Sequence, residues 1–250
     1  MSGRLRLALA TLAFGCASPV LNAQPAQTPN DARPHAVALS PAAPVARFHD
    51  VIQGSESVEY TFAARKGDVL FADLQTKVGA LNFNVWPPGP RGSAVHRGDV
   101  DGAHWTAVAA ADGDYTVSVY VMRNVARRGG RRPFALSIGR TSPPAGVPRA
   151  NDARVKGTPF HAVSSVRCQL TAGSSMMQCP LGVIRGAHGV ADLHISTPDG
   201  ARRVFRVTAT RVTDLEPSHR VRAEDAGDLW TVVVDGTERY EIPDAAVVGG

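Results

Sequence analysis

The sequence predicts an all-β protein: a β-sandwich of jelly-roll type, then a second small β-rich domain closed by a disulfide. Three observations carry that reading. Short apolar runs alternate with polar residues at period two, and no segment repeats its apolar residues at helical spacing. Turn formers, 24 Gly and 18 Pro in 250 residues, favour many short segments over long helices. A proline-rich stretch in the middle divides the runs into two sets, each the size of a small domain.

In chain order, residues 1–23 come first. Arg4 and Arg6 precede an apolar run from Leu7 to Gly15, and a small-residue region ends at Leu21-Asn22-Ala23 before Gln24. This is the order of a cleavable secretory signal peptide. The run is too short to span a bilayer, and no later segment approaches ~20 uninterrupted apolar residues, so an integral membrane protein is not expected. A periplasmic or secreted destination follows. Cys16 is a candidate for lipid attachment and outer-membrane anchoring, but Phe14 before Gly15 and the missing Leu weaken that reading. Residues 24–45, rich in Pro, Ala and small polar residues without a period, read as a flexible linker that packs against nothing.

Residues 46–140 hold the first set of strands. Val58-Glu59-Tyr60-Thr61-Phe62 is followed by a Lys66-Gly67-Asp68 turn and by Val69-Leu70-Phe71-Ala72-Asp73-Leu74. Phe83-Asn84-Val85-Trp86 stops at Pro87-Pro88-Gly89. Asp112-Gly113-Asp114 leads into a run in which Tyr115, Val117, Val119 and Val121 share one face. Phe134-Ala135-Leu136-Ser137-Ile138 closes the set, which has the spacing of a sandwich.

Residues 141–155 form a second, proline-rich linker, and 156–250 a C-terminal β-rich module. Its strands are expected at Val190–Ile195, Val204–Thr208, Leu229–Val234 and Glu238–Pro243, the last two joined at Asp235-Gly236, a strong hairpin signal. Without the signal, Cys168 and Cys179 remain as an even pair in an oxidising compartment, the setting of a disulfide around a short loop. Zinc is the weaker alternative, because no His stands at ligand spacing.

A formal charge of +5 suits an acidic partner: a protein cleft, an anionic envelope surface or nucleic acid. Strand-exchange chemistry on DNA needs a nucleophilic Tyr with Arg and His around a phosphate. No such constellation stands out, and export separates the chain from DNA. No Gly-x-Ser-x-Gly elbow, His-Glu-x-x-His or phosphate loop is present, so no enzyme activity and no cofactor are expected. Asp99, Asp101, Asp112 and Asp114 fit turn chemistry better than calcium, and His188, Asp192 and His194 fit scattered surface residues better than a metal set. Trp86, Trp105 and Trp230 read as strand-end or core aromatics, with carbohydrate stacking a minor alternative.

Four stretches carry a family resemblance: Tyr60 to Asp68, Phe83 to Gly89, Ala111 to Tyr115, and Val121-Met122-Arg123-Asn124-Val125-Ala126-Arg127-Arg128. Residues 48–140 resemble the inhibitors of goose-type lysozyme and, more loosely, the bacterial pre-peptidase C-terminal domains. The resemblance implies an exported, non-enzymatic binding protein whose partner is a lysozyme-type muramidase. A loop would place basic side chains in the enzyme's cleft, where guanidinium forks suit a carboxylate. Arg123 and Arg127 carry that role over, with Arg128 beside them and Tyr60 as a third, less closely matched position. Arg128, Arg131 and Arg132 around Gly129-Gly130, and the appended second module, depart from the family pattern. Two alternatives stand beside this reading. One is an envelope structural or adhesion module that binds cell-wall polymer or a surface protein. In the other, the arginines form only a solvated loop that protects a sheet edge.

Overall fold

The structure is a computed structural model and describes residues 32–142, 153–186 and 188–248; the signal sequence and Cys16 lie outside them. In the first half the strands are β1 (Ala32–Ala36), β2 (Val45–Gln53), β3 (Ser57–Ala64), β4 (Val69–Gln75), β5 (Leu81–Trp86), β6 (His96–Arg97), β7 (His104–Val108), β8 (Gly113–Val121) and β9 (Arg131–Thr141). Two one-turn helices interrupt them, α1 (Gly98–Asp101) and α2 (Arg123–Ala126). The second half contributes β10 (Ala162–Gln169), β11 (Met177–Arg185), β12 (Ala191–Ser196), β13 (Arg202–Thr208), β14 (Arg211–Asp214), β15 (Val221–Asp225), β16 (Leu229–Val234), β17 (Glu238–Pro243) and α3 (Ala245–Val248). The all-β expectation holds, and every strand named from alternation is present.

A five-stranded sheet, β1-β3-β8-β5-β6, faces a four-stranded sheet, β2-β9-β4-β7. Alternation decides which side chains lie between them. Val58, Tyr60 and Phe62 of β3, Tyr115, Val117, Val119 and Val121 of β8, and Leu136 and Ile138 of β9 enter one shared core. Each large side chain so buried stabilises the sandwich by about 1.5–3 kcal/mol.

The tether expected over residues 24–45 is shorter than the sequence suggests. Ala32–Ala36 pairs in parallel with β3, from Ala32 opposite Ser57 to Ala36 opposite Thr61, and Val37 reaches the core. Pro34 is tolerated because β1 is an edge strand, where its missing N–H costs no ladder bond.

The second half is one eight-stranded sheet, β14-β13-β12-β11-β10-β17-β16-β15. Its inward side chains, from Val166 on β10 to Val212 on β14 and Trp230 on β16, form a single cluster. A single sheet that gathers one of its faces into one core has to curl, as a barrel does. Asp235 and Gly236, with φ of 49° and 74°, turn the β16–β17 hairpin where the sequence placed it. Cys168 and Cys179 form the disulfide, joining β10 and β11 with Cα atoms 5.9 Å apart, and both are buried.

The two halves pack face to face. Every residue of β4 from Val69 to Leu74 is buried, as is every residue of β12 from Ala191 to Ile195, so each strand is covered on both sides. Val45 and Phe71 of the sandwich meet Val204 and Leu215 of the barrel in a small apolar cluster.

Candidate functional site

The sandwich end formed by the last residues of β8 and the first of β9 presents the arginine turn. Met122 O accepts from Val125 N and Ala126 N, each at 2.9 Å, and Arg127 N donates to Arg123 O at 3.3 Å, giving one helical turn. Val125 and Ala126 pack against the sandwich core and anchor it. Met122 N donates to Ala80 O at 3.1 Å and ties its start to the loop before β5. Gly129 and Gly130, with φ of 67° and 96°, then end the turn and send the chain into β9, a backbone course that a side chain would strain.

With Val125 and Ala126 turned inward, Arg123, Asn124, Arg127 and Arg128 are exposed. Arg123 and Arg127 stand four residues apart, the spacing of neighbours on one helical face. Neither they nor Arg128 makes a side-chain hydrogen bond or ion pair in the described structure. Their donors are therefore free for a partner, and their shared charge favours an anionic one. Arg132, by contrast, folds back to Gly129 O at 3.4 Å.

Tyr60 does not join them, which corrects its placement at the partner surface. Its side chain is 0 % exposed, because its position in β3 faces the opposite sheet. The hydroxyl donates to Asp50 Oδ2 at 3.3 Å, and the ring stacks on His35 at 5.1 Å between centroids. Arg33 grips the same carboxylate at 3.1 and 3.3 Å. Burial and the neighbouring Asp50 push the Tyr60 hydroxyl far above its ordinary pKa. Burial works against the Asp50 carboxylate, but the Val51 N–H and Arg33 hold its pKa below the usual range. Tyr60 thus fastens β1, β2 and β3 together.

The acidic turns serve the backbone. Asp101 accepts from Arg97 N at 2.8 Å, and Asp112 from Lys66 N at 2.7 Å. Among the described residues no group of three or more His, Cys, Asp or Glu is arranged to hold a metal ion. Asp192 and His194 do share a face of β12, and that face lies against the sandwich rather than solvent. Arg206 holds Asp192 at 2.7 Å, and His194 sits between Phe71 and Phe160, 5.5 Å from each ring.

Sequence reasoning missed a cleft of about 950 Å3 on the outer face of the five-stranded sheet, bordered by Trp86, Arg91, Tyr120 and Arg123. The signal was present in the polar residues alternating with the core of β3, β5 and β8, but their convergence depends on strand order. It missed a second cluster as well. Arg203 is held by Glu238 at 2.7 and 2.9 Å, Tyr240 donates to Glu238 at 2.7 Å, and His219 lies 2.9 Å from Asp214. Burial opposes the Glu238 charge, yet Arg203 and Tyr240 keep its pKa low, while the Asp214 hydrogen bond raises that of His219. These groups satisfy one another, which marks them as structural.

Comparison with solved structures finds likeness over somewhat less than half of the chain. The chain is similar to Aeromonas hydrophila PliG, a periplasmic lysozyme inhibitor of g-type lysozyme, at 28% identity over 45% of this chain and 100% of that one, with a TM-score of 0.42. It is similar to Salmonella Typhimurium PliG, also a periplasmic inhibitor of g-type lysozyme, at 24% identity over 44% and 98%, with a TM-score of 0.36. The pre-peptidase C-terminal domain of a Bacillus anthracis collagenase matches at 19% identity over 44% and 96%, with a TM-score of 0.28. The two families that residues 48–140 resemble in sequence are thus both found among the solved structures. No family model matches the chain, and no curated protein does. No helix among the described residues is long and apolar enough to cross a membrane.

Proposed function

We propose that the protein is an exported, non-enzymatic inhibitor of a goose-type lysozyme, which seats Arg123, Arg127 and Arg128 in the enzyme's acidic cleft. The observation that carries this reading is three exposed guanidinium groups, free of side-chain partners, on a turn whose backbone is fixed at both ends. A rigid turn loses little conformational freedom on docking, so the affinity of its contacts is retained. Each fork donates two parallel charge-assisted hydrogen bonds to a carboxylate, and occupying a catalytic carboxylate excludes substrate. Tyr60 contributes by holding the sandwich rather than by contact.

Titrating the full chain into a lysis assay with goose-type lysozyme tests the reading. Saturable loss of lysis at micromolar protein is expected. Undiminished lysis at that concentration removes the inhibitor reading.

A further inference from the structure

The outer face of the five-stranded sheet has the chemistry of a sugar site. Its floor consists of the residues that alternate with the core: Ser57 and Glu59 of β3, Ser118 and Tyr120 of β8, Asn84 and Trp86 of β5. Arg91 of the β5–β6 loop and Asp99 of α1 form one wall, and Arg123 stands at the end of the trough. At about 950 Å3 the volume falls near the top of the range for small-ligand sites.

The floor is polar, flat and internally neutral. Arg91 Nη2 lies 2.6 Å from Glu59 Oε1, and Arg97 Nη2 lies 3.0 Å from Asp99 Oδ2. Asn84 Oδ1 accepts from the Tyr120 hydroxyl and from Gly98 N, each at 3.3 Å, and the residue borders the trough. The Arg91 guanidinium is stacked 4.8 Å over the Trp86 ring, a planar donor set backed by an indole. Val121 and Met122 border the trough at its Arg123 end, but an apolar partner over the rest would strip water from Asn84, Glu59 and Arg91 without returning hydrogen bonds. Vicinal hydroxyls return them, since amide, guanidinium and carboxylate forks each engage two at once. Trp86 and Tyr120 supply the surface for the C–H edges of a sugar ring. Among the described residues, the one charge at the trough without an ion partner is Arg123.

We infer that this trough binds an anionic oligosaccharide, with sugar hydroxyls on Asn84, Glu59 and Arg91, ring edges on Trp86 and Tyr120, and a carboxylate at Arg123. The site shares Arg123 with the proposed lysozyme contact but does not rest on that reading, and its test contains no lysozyme.

Isothermal titration and tryptophan fluorescence of the full chain would be read with three probes. These are a hyaluronan hexasaccharide, the neutral chitohexaose, and polyglutamate as an anion without sugar. Saturable binding of the acidic hexasaccharide is expected, with weaker binding of the neutral one and none of polyglutamate. Arg123→Ala should lower affinity for the acidic chain about tenfold while leaving the neutral chain unchanged. Trp86→Ala and Arg91→Ala should weaken both sugars; the exposed Arg91 provides this readout even if the Trp86 variant folds poorly. Three results would overturn the inference: no saturable sugar binding at millimolar concentration, polyglutamate bound as tightly as the acidic sugar, or unchanged binding in the Arg91 variant. Equal affinity for the acidic and neutral chains would overturn the anionic assignment.

Discussion

Arg202 of the barrel and Asp73 of the sandwich form an ion pair of 2.8 Å with side chains 6% and 1% exposed, joining the two halves of the chain inside their shared interface. Arg202 also donates to Thr106 Oγ1 at 2.5 Å, and His104 Nδ1 lies 2.8 Å from the same Asp73 oxygen. Removing one partner leaves a buried charge uncompensated. Asp73→Ala is expected to destabilise the protein by about 3–5 kcal/mol, whereas Asp73→Leu with Arg202→Met should recover most of that loss. Urea unfolding of the single and double variants measures both. A double variant no more stable than Asp73→Ala would show that the ion pair is not what makes this contact costly to break.

This interface also shows where sequence reading stops. Strands were legible because their alternation reports a face buried within the same sheet pair, as at Tyr115, Val117, Val119 and Val121. The second buried face was not, because Asp73, Asp192, His194 and Arg202 are polar and look like surface residues until their partners are placed. Tyr60 failed for a related reason: its position before a turn fits a contact residue, whereas its register opposite Val117 turns it inward. The arginine turn was legible as a motif, since charge and chain adjacency survive folding. The cleft was not, because Glu59, Asn84 and Tyr120 meet only through the order β3-β8-β5.

Gly139 lies opposite Phe71 in the β4–β9 register, and a Cβ there would collide with the Phe71 ring. The ring cannot swing clear, since it packs edge-on to His194 at 5.5 Å and under Arg202 at 5.3 Å. Gly139→Ala is therefore expected to cost about 1–3 kcal/mol by overpacking, and Phe71→Leu in the same chain should restore part of it. Thermal unfolding of the three variants checks the coupling. Strictly additive losses would mean that Phe71 is not the obstacle.

The Cys168–Cys179 disulfide closes a short loop, with a sequence separation of 11. Loop-closure entropy puts its contribution at about 2–3 kcal/mol. The Cys168→Ala, Cys179→Ala double variant should lower the unfolding free energy by at least that amount, since both sulfurs are also buried in the barrel core. Denaturant titration of oxidised protein and double variant supplies the comparison. Equal midpoints would contradict it.

His194 is fully buried, and neither ring nitrogen has a hydrogen-bond partner. Burial, with Arg202 nearby, lowers its pKa well below 6.5, so it stays neutral in the fold while the unfolded chain gains a proton below that value. Stability is intact above the unfolded pKa and falls as pH drops from there toward the folded pKa. Between about pH 7.5 and about pH 5.5 this amounts to about 1.4 kcal/mol. His219 has the opposite sign: its raised pKa, caused first by Asp214, adds stability that is present below 6.5 and lost as pH rises through the folded value. His194→Leu isolates the first effect. Relative to wild type, the variant should gain about 1.4 kcal/mol over that pH interval, read by urea unfolding at each end. A constant difference would mean that His194 charges in the folded state.

Arg123 and Arg127 separate inhibition from stability, because neither side chain bonds to the rest of the protein. Each Arg→Ala change should leave the unfolding midpoint where it is and, under the proposed function, raise the inhibition constant about tenfold or more, the worth of a charge-assisted hydrogen bond. Lysine keeps the charge but loses the fork, so Arg123→Lys should recover only part of the affinity. Raised salt should weaken the encounter by screening, more for the wild type than for Arg123→Ala. Inhibition assays at two ionic strengths separate the contributions. Full recovery by lysine would reduce the turn to a general positive field, and loss of thermal stability in either alanine variant would show that the turn supports the fold.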